Sequence, residues 1–264
     1  PMIENFVSWR DKTSRRKYKQ NYTASTLNKH NQILRHIFKF AQRRNIIQNI
    51  PLIKSYSNDL ARRREGLDKK ELDLLIKLAE QEASEYENDL DIASYKTLHI
   101  YRNYFLHFIR LLAMSGIRPN SNIKNKDIAY IEGNLTIERS EKNLPTRIAI
   151  FKNEFIPIHE EFIKFKEDMG ISCKKNDWYF THPNQVKNAQ GRVKSFHRQW
   201  NRVVKSNKKL QGKVFYSLRH YYITKAIYDN IPINAIASQC GTSPEMISKT
   251  YFQELQITQA DLFA

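Results

Sequence analysis

The stretch YSLRHYYI, at residues 216–223, places an arginine inside an aromatic and aliphatic segment. In a helix, neighbouring side chains lie three and four positions apart, so Arg219 shares a face with Ile223 and Ile227. A guanidinium at the edge of an apolar face is costly unless an anion meets it. The stretch therefore predicts a core helix whose arginine binds either a carboxylate of this chain or a phosphate from outside.

The amino-acid composition indicates a basic globular protein. The chain has 264 residues, 41% of them hydrophobic, and a net charge of +17. Residues 1–66 hold much of the excess, with fifteen Lys and Arg against four Asp and Glu. This charge predicts a polyanionic partner, and a chain of this length accommodates one or two domains.

The sequence shows little sign of metal binding, secretion or membrane insertion. Cys173 and Cys240 form neither a disulfide framework nor a metal-binding spacing, and no apolar run approaches the roughly 20 residues of a membrane span. Neither is there a signal pattern at the N-terminus. We expect no metal, no cofactor and no membrane, and a reducing interior. Pro1 in place of an initiator methionine suggests either a fragment, with a missing N-terminal domain, or the remnant of a tag.

Hydrophobic periodicity divides the chain into two helical domains of unequal size. We predict a small basic domain over residues 1–54, a linker over 55–66, and a larger domain over 67–264 with a tail from about 253. The clearest helix of the small domain covers residues 25–45, with Ser25 or Thr26 as its cap. Its remaining faces carry Lys29, Arg35, Lys39, Arg43 and Arg44.

The larger domain begins and continues with helical signals. Asp68 and Glu71 form a capping-box pattern at the start of its first helix. A second helix is predicted over about 95–115, and Gly116 suits the left-handed position past its end. Further helices are predicted over residues 160–168, 192–206, 217–228, 233–239 and 243–250. The last of these is predicted to have Ser243 as its cap and a proline in its first turn.

Three short β-prone runs lie between these helices. They are NLTIE at 134–138, TRIAIF at 146–151 and EFIPI at 154–158. Together they predict a small antiparallel sheet, with Lys152 in the turn between the last two strands. The expected fold class is therefore mainly α with a small antiparallel β-sheet.

Four side chains are candidates for chemistry. Arg118 follows an apolar helix in SGIRP, Lys152 lies in the predicted turn, Arg219 lies in YSLRHYY, and Tyr251 ends GTSPEMISKTY. Each has an ordinary structural explanation when taken alone, such as a carboxylate-paired arginine or a packing tyrosine. Their order and spacing along the chain are more specific than any one of them.

In these motifs the chain resembles the tyrosine recombinase, or phage integrase, family. SGIRP resembles the segment of the family's first arginine, and YSLRHYYIT resembles the HxLRHTFAT-like segment of its second arginine. GTSPEMISKTY resembles the GTSxxMIxxxY form of its nucleophile segment. The basic helix over 25–45 resembles the family's core DNA-binding domain, so the resemblance covers nearly the whole chain and implies a catalytic domain over 67–264.

The resemblance implies a metal-independent site-specific DNA recombinase. Tyr251 would attack the scissile phosphate and form a covalent 3′-phosphotyrosine, while Arg118 and Arg219 hold the phosphate oxygens. Lys152 would protonate the leaving 5′ oxygen. We prefer it to Lys142, because it is predicted where two strands turn, as the family's hairpin lysine does.

Three departures from the family pattern concern accessory residues. Tyr216 stands where the family usually has histidine before the second arginine, and Thr242 stands where it usually has histidine or tryptophan before the nucleophile. Ser121 replaces an acidic residue often found after the first arginine. Tyr216, Thr242 and His220 are therefore candidates for assisting hydrogen bonds.

The resemblance also implies the partners and the setting. We expect double-stranded DNA at a recombination site, contacted by Lys29, Arg35, Lys39, Arg43 and Arg44, and a homotetramer on paired sites. An excisionase or a host DNA-bending protein is a further expected partner, in the cytoplasm of a prokaryote and at its nucleoid. Three alternatives stay open: a non-cleaving DNA-binding protein of this fold, a type IB topoisomerase-like enzyme, and an unrelated basic helical nucleic-acid-binding protein.

Overall fold

The computed structural model of the protein describes residues 5, 6, 8–10, 12, 13, 22–56, 66–139, 146–183, 191–252 and 255. The chain forms two compact units, Pro1–Arg63 and Arg64–Ala264. Most of the predicted linker and nearly all of the predicted tail lie outside the described residues, so both stay predictions. No helix within the described ranges is long and apolar enough to cross a membrane.

The first unit is built on helix α1, Ala24–Arg43. Its N-cap is Thr23, whose hydroxyl accepts a hydrogen bond from the amide of Thr26 at 3.3 Å, so the predicted cap at Ser25 or Thr26 is wrong. A following extended segment docks on α1 through asparagines. The Asn28 amide exchanges two hydrogen bonds with the backbone of Tyr56, at 2.8 and 2.9 Å. These bonds satisfy backbone groups that no sheet or helix pairs.

The second unit begins with two long helices, α2 at Lys69–Ser84 and α3 at Ala93–Ser115. The capping box at the start of α2 is confirmed, because Asp68 and Glu71 bond each other's amides at 2.7 and 2.9 Å. Gly116 ends α3 with φ +65°, as predicted. Because α3 is buried along most of its length, it forms the centre of this unit.

The sheet is antiparallel in the order β1–β2–β3, with strands Ile128–Ile131, Asn134–Arg139 and Arg147–Ile150. The segment EFIPI is not a strand; it opens helix α4, Phe155–Asp168. Phe155 and Phe162 lie seven positions apart and are both buried, which is helical spacing. Pro157 is tolerated in the first turn, where its missing N–H has no intrahelical partner.

Four shorter helices complete the second unit: α5 at His197–Lys205, α6 at Phe215–Tyr228, α7 at Ile233–Cys240 and α8 at Pro244–Thr250. The Ser243 cap and the proline in the first turn of α8 are confirmed. Helix α5 begins later than predicted, because Arg192 pairs with Thr181 in an isolated β-bridge.

Helix α6 joins two apolar clusters. Leu218 belongs to the large cluster around α3, whereas Ile223 and Ile227 belong to a smaller cluster that also contains Tyr251. Arg219 lies between Leu218 and Ile223 in the sequence of α6. The helix therefore places its side chain at the boundary between the two clusters. The fold therefore places the second candidate arginine and the candidate nucleophile on neighbouring elements.

A buried hydrogen-bonded group lies in the large cluster. The Tyr179 hydroxyl is 2.8 Å from Nε2 of His107 and 2.7 Å from Nδ1 of His159. Burial lowers the pKa of His107 well below its ordinary value and lowers that of His159 to about 4. Burial in the folded protein therefore favours the neutral form of both imidazoles.

Lowering the pH from about 7 to about 4 is expected to destabilise the protein through these histidines. An unfolded histidine titrates near 6.5, and the folded His159 near 4. Between these values the unfolded chain binds protons that the folded chain does not, so the free energy of unfolding falls as the pH falls. The lowered pKa of His159 corresponds to a loss of roughly 3 kcal/mol in the free energy of unfolding between pH 7 and pH 4. Urea denaturation at several pH values measures the fall.

The matched comparison uses two histidine variants. His159→Gln is expected to flatten the pH dependence, whereas His36→Gln, on the exposed surface of α1, should leave it as in the unmodified chain. An equally steep dependence in His159→Gln would refute this explanation of the acid sensitivity.

Candidate active site

Tyr251 is buried just past the end of α8. Its amide donates to the Ile247 carbonyl at 2.8 Å, and 3% of its surface is exposed. The hydroxyl is 2.5 Å from Nδ1 of His220. In the tautomer that carries its proton on Nε2, His220 accepts this hydrogen bond, so the imidazole is placed to take the phenol proton.

Arg219 is 2% exposed, yet no carboxylate of the described residues pairs with it. Its Nη1 donates instead to the carbonyl of Gly116 at 2.8 Å and to the carbonyl of Cys240. The Cys240 carbonyl is at the C-terminus of α7, where helix carbonyls lack intrahelical partners and carry partial negative charge. In the free protein, backbone carbonyls thus stabilise the buried cation. Its Nε has no hydrogen-bond partner among the described groups.

Gly116 brings the first candidate arginine to the second. With φ at +65°, a Cβ at this position would lie 2.3 Å from the ring of Tyr222 and 2.9 Å from the sulfur of Cys240. Only glycine therefore permits this approach of the end of α3 to α6 and α7. Arg118 follows two residues later, so it leaves the backbone next to the carbonyl that Arg219 binds.

Arg118 and Tyr216 line one open cleft of about 630 Å³. The Tyr216 ring lies 5.8 Å from the Arg219 guanidinium and 5.2 Å, edge to face, from the His220 ring. Tyr216 therefore lies against both Arg219 and the imidazole beside Tyr251. The remaining lining residues are Phe108, Pro119, Asn120, Ser121, Lys194, Ser195, Phe196, His197, Val214 and Phe215.

Thr242 lies just after the end of helix α7. It directly follows Gly241, which ends α7 with φ +65°. Its amide donates to the Ala237 carbonyl at 3.0 Å, and its side chain is partly exposed. Thr242 thus lies two residues after Cys240, whose carbonyl accepts a hydrogen bond from Arg219.

The expectation that Lys152 lies in a turn between two strands is wrong. Lys152 lies between β3 and helix α4, because EFIPI is helical. Its Nζ is 3.6 Å from Oδ2 of Asp229, just past the end of α6. Lys142 is the lysine whose sequence number falls between β2 and β3, and it lies outside the described residues. The criterion that favoured Lys152 therefore favours Lys142.

Two residues of this region were missed by the sequence analysis. His197 lines the cleft with Arg118, and Ser195 Oγ is 2.5 Å from its Nδ1. Arg147, the first residue of β3, donates from Nη1 to the Gln239 carbonyl at 2.7 Å. Burial, and then the positive charges of Arg219 and Arg118, lower the pKa of Arg147, with Cys240 opposing. Neither residue belongs to a motif that the sequence made visible.

The basic residues of α1 fall into two groups. The exposed group is Lys29, Lys39, Arg43 and Arg44. Arg35 differs, because its Nη2 donates to the Ile53 carbonyl at 2.8 Å and to the Ser55 hydroxyl at 2.9 Å. Arg35 therefore helps to hold the extended segment after α1.

Metal-ligand geometry is not seen in the described part of the chain. No group of three or more His, Cys, Asp or Glu side chains lies close enough there to hold a metal ion. The cations gathered near the cleft, Arg118, Arg147 and Arg219, suit an anion.

Comparison with known proteins identifies the fold. No protein-family model and no curated protein sequence matches the chain. The structure is similar to that of the XerH site-specific recombinase bound to a palindromic difH substrate, with a TM-score of 0.57 and 16% identity, covering 82% of this chain and 58% of that chain. It is also similar to the structure of the Tn1549 transposon integrase in complex with a circular intermediate DNA. There the TM-score is 0.61 and the sequence identity 14%, and the match covers 97% of this chain and 85% of that chain.

A third similar structure is that of the XerA recombinase, with a TM-score of 0.50 and 17% identity, covering 98% of this chain and 82% of that chain. At these identities the likeness concerns the fold. The predicted class, mainly α with a small antiparallel sheet, is confirmed, and the fold is that of tyrosine recombinases.

Proposed function

We propose that this chain is a site-specific DNA recombinase that cleaves and rejoins strands through a covalent 3′-phosphotyrosine. The observation that carries the proposal is the junction of α6, α7 and α8. There, the Tyr251 hydroxyl meets His220, and the adjacent Arg219 binds the Gly116 carbonyl two residues before Arg118. A nucleophile, a proton acceptor and two phosphate-binding cations are thus supplied by neighbouring segments.

The cleavage step follows from this arrangement. The Tyr251 oxygen attacks the scissile phosphorus while its proton passes to Nδ1 of His220. Arg118 and Arg219 bind the non-bridging oxygens and stabilise the added negative charge of the pentavalent transition state. The bond from phosphorus to the 5′ oxygen breaks, and that oxygen takes a proton from Lys142. The phosphotyrosyl ester retains the bond energy, so a different 5′-hydroxyl can reverse the step and complete recombination.

A nicked duplex tests the proposal directly. A nick just past the scissile phosphate lets a short 5′-hydroxyl strand diffuse away, so the covalent product accumulates. Sites are first selected from random duplexes by their affinity for the full chain, then offered as nicked substrates on a denaturing gel. We expect a covalent band. Binding with no adduct at any selected site would favour the non-cleaving protein, and relaxation of supercoiled plasmid by the monomer without sequence preference would favour the topoisomerase-like enzyme.

Lys142, rather than Lys152, is expected to be the general acid. Lys142→Ala should slow cleavage about 10²–10⁴-fold, the usual contribution of proton transfer. A substrate with sulfur in place of the bridging 5′ oxygen should restore the rate, because a thiolate leaves without a proton. Lys152→Ala is the matched control, expected to cleave within about threefold of the unmodified chain. Rescue of Lys152→Ala by sulfur, and none for Lys142→Ala, would reverse the assignment.

The exposed residues of α1 are expected to bind the DNA backbone. Replacing Lys29, Lys39, Arg43 and Arg44 together with glutamine should weaken duplex binding and flatten its salt dependence. The slope of log affinity against log salt should fall by about 0.9 for each phosphate that the variant no longer neutralises. Filter binding over a salt series measures this slope.

The control for this variant carries the same change of charge on the second unit. Glutamine replaces four exposed lysines there, Lys70, Lys77, Lys126 and Lys175. An equal decrease of slope in both variants would show a general charge effect rather than a DNA-binding surface on α1. Arg35→Gln is expected to destabilise the first unit instead, because its guanidinium binds the segment after α1.

A further inference from the structure

Two guanidiniums are anchored on consecutive carbonyls at the C-terminus of α7. Nη1 of Arg147 donates to the Gln239 carbonyl at 2.7 Å, and Nη1 of Arg219 donates to the Cys240 carbonyl. Carbonyls of a last helical turn have no intrahelical donors, and the helix dipole places partial negative charge on them. The end of α7 therefore holds two cations side by side in the free protein.

Gly241 makes room for the first of these guanidiniums. A Cβ on this residue would lie 2.3 Å from both Cζ and Nε of Arg147. The Arg147 group thus packs directly on the backbone that leads to Thr242. It reaches this place from β3, the strand that follows Lys142 in the sequence.

The Gln239 side chain fixes β3 in this position. Its Nε2 donates to the Ile150 carbonyl at 2.8 Å, and its Oε1 accepts from the Ile150 amide at 2.9 Å. The same Nε2 donates to the Ser115 carbonyl at 3.1 Å, at the end of α3. The Gln239 side chain therefore links β3 and α7 to the end of α3, three residues before Arg118. These hydrogen bonds fix the position of β3, and with it Arg147, relative to the segments that carry Arg118 and Arg219.

We infer that Arg147 is a third guanidinium of the anion site formed by Arg118 and Arg219, and that it contacts the scissile phosphate. This rests on the proposed function for the identity of the phosphate. A phosphodiester carries one negative charge, whereas its pentavalent transition state carries two, so a third cation contributes most as the reaction proceeds. Burial first, and then the positive charges of Arg219 and Arg118, lower the pKa of Arg147, and a bound anion would relieve the repulsion between these cations.

Inorganic phosphate is the probe, because its binding requires no cognate DNA and no cleavage. The full chain is labelled with ¹⁵N, and the arginine Nε–H resonances are assigned from Arg118→Lys, Arg147→Lys and Arg219→Lys. Phosphate is titrated at constant ionic strength against chloride. We expect the Arg147 signal to shift saturably, with the same Kd as the Arg118 signal. No saturable shift of the Arg147 signal would overturn the inference, and the titration itself is performed on the unmodified chain.

A second measurement separates an anion contact from a purely structural one. Arg147→Gln should weaken the phosphate Kd read at Arg118 by about tenfold, the effect of one charge-assisted hydrogen bond. Lys126→Gln removes one exposed charge elsewhere and should change that Kd less than about twofold. If the folded Arg147→Gln variant binds phosphate with an unchanged Kd, Arg147 only links β3 to α7, and the inference is refuted.

The outcome is independent of the test of recombination. Phosphate binding that depends on Arg147, together with no covalent adduct on DNA, would uphold the anion site and contradict the proposed function. A Tyr251 adduct together with phosphate binding insensitive to Arg147 would uphold the proposed function and reject the third guanidinium.

Discussion

Tyr251→Phe is expected to abolish the covalent protein–DNA band while leaving DNA affinity within about twofold, because the phenol oxygen is the proposed attacking atom and the ring remains. Loss of a catalytic nucleophile commonly lowers the rate by well over about 10³-fold. Removing the hydrogen bond to His220 should cost only about 1 kcal/mol of stability. The adduct assay on nicked DNA, with a parallel binding assay, measures both quantities.

The matched control is Tyr228→Phe. Tyr228 is also on the second unit, at the end of α6, but 50% of its surface is exposed and it lies in neither apolar cluster. It should form the adduct at the rate of the unmodified chain. A Tyr251→Phe protein that still forms the band at an ordinary rate would show that another residue attacks the phosphate.

Arg118 and Arg219 are expected to contribute similarly to cleavage but differently to stability. In the proposed mechanism each guanidinium stabilises transition-state charge, and removal of such a preorganised donor commonly costs about 3–4 kcal/mol, or about 10²–10³ in rate. Arg118→Ala should lose this rate with a melting temperature close to that of the unmodified chain, because Arg118 is partly exposed at the cleft.

Arg219→Ala should lose both rate and stability. The buried side chain satisfies the carbonyls of Gly116 and Cys240, and each buried carbonyl left without a donor costs about 1–3 kcal/mol. Arg219→Lys keeps a donor and is expected to recover part of the stability but little of the rate, since an ammonium lacks the planar fork that binds a phosphate. Thermal unfolding and single-turnover cleavage separate the effects. Equal melting temperatures for the two alanine variants would contradict the anchoring role.

Local sequence patterns predicted the elements whose determinants are local. The capping box of Asp68 and Glu71, the left-handed Gly116 and the Ser243 cap each depend on a few adjacent residues, and the structure confirms them. The run EFIPI failed for the opposite reason. Its residues suit a strand by propensity, but burial of Phe155 and Phe162 on one face makes it helical, and that burial depends on tertiary packing.

The site was predictable in part. The motifs around Arg118, Arg219 and Tyr251 point to one chemistry, and the structure brings their segments together at the ends of α3, α6 and α8. Arg147 was not predictable, because its place depends on a carbonyl of α7, ninety-two residues away along the chain. The preference for Lys152 over Lys142 followed from the misread strand, since that preference rested on where the strands turn.

The partners of the guanidinium in YSLRHYYI show a further limit of sequence. A carboxylate or a phosphate was expected to meet Arg219, and the free protein uses two backbone carbonyls instead. Backbone acceptors have no residue signature, so no pattern could reveal them. A phosphate remains the proposed ligand when DNA is bound.

Identification of the amino acid joined to DNA tests the central claim most directly. The covalent product on a nicked site is digested with nuclease and protease, and the nucleotide-bearing peptide is sequenced by mass spectrometry. We predict a nucleotide joined through its 3′-phosphate to the oxygen of Tyr251. A nucleotide on any other residue, or one attached through a 5′-phosphate, would contradict the assignment.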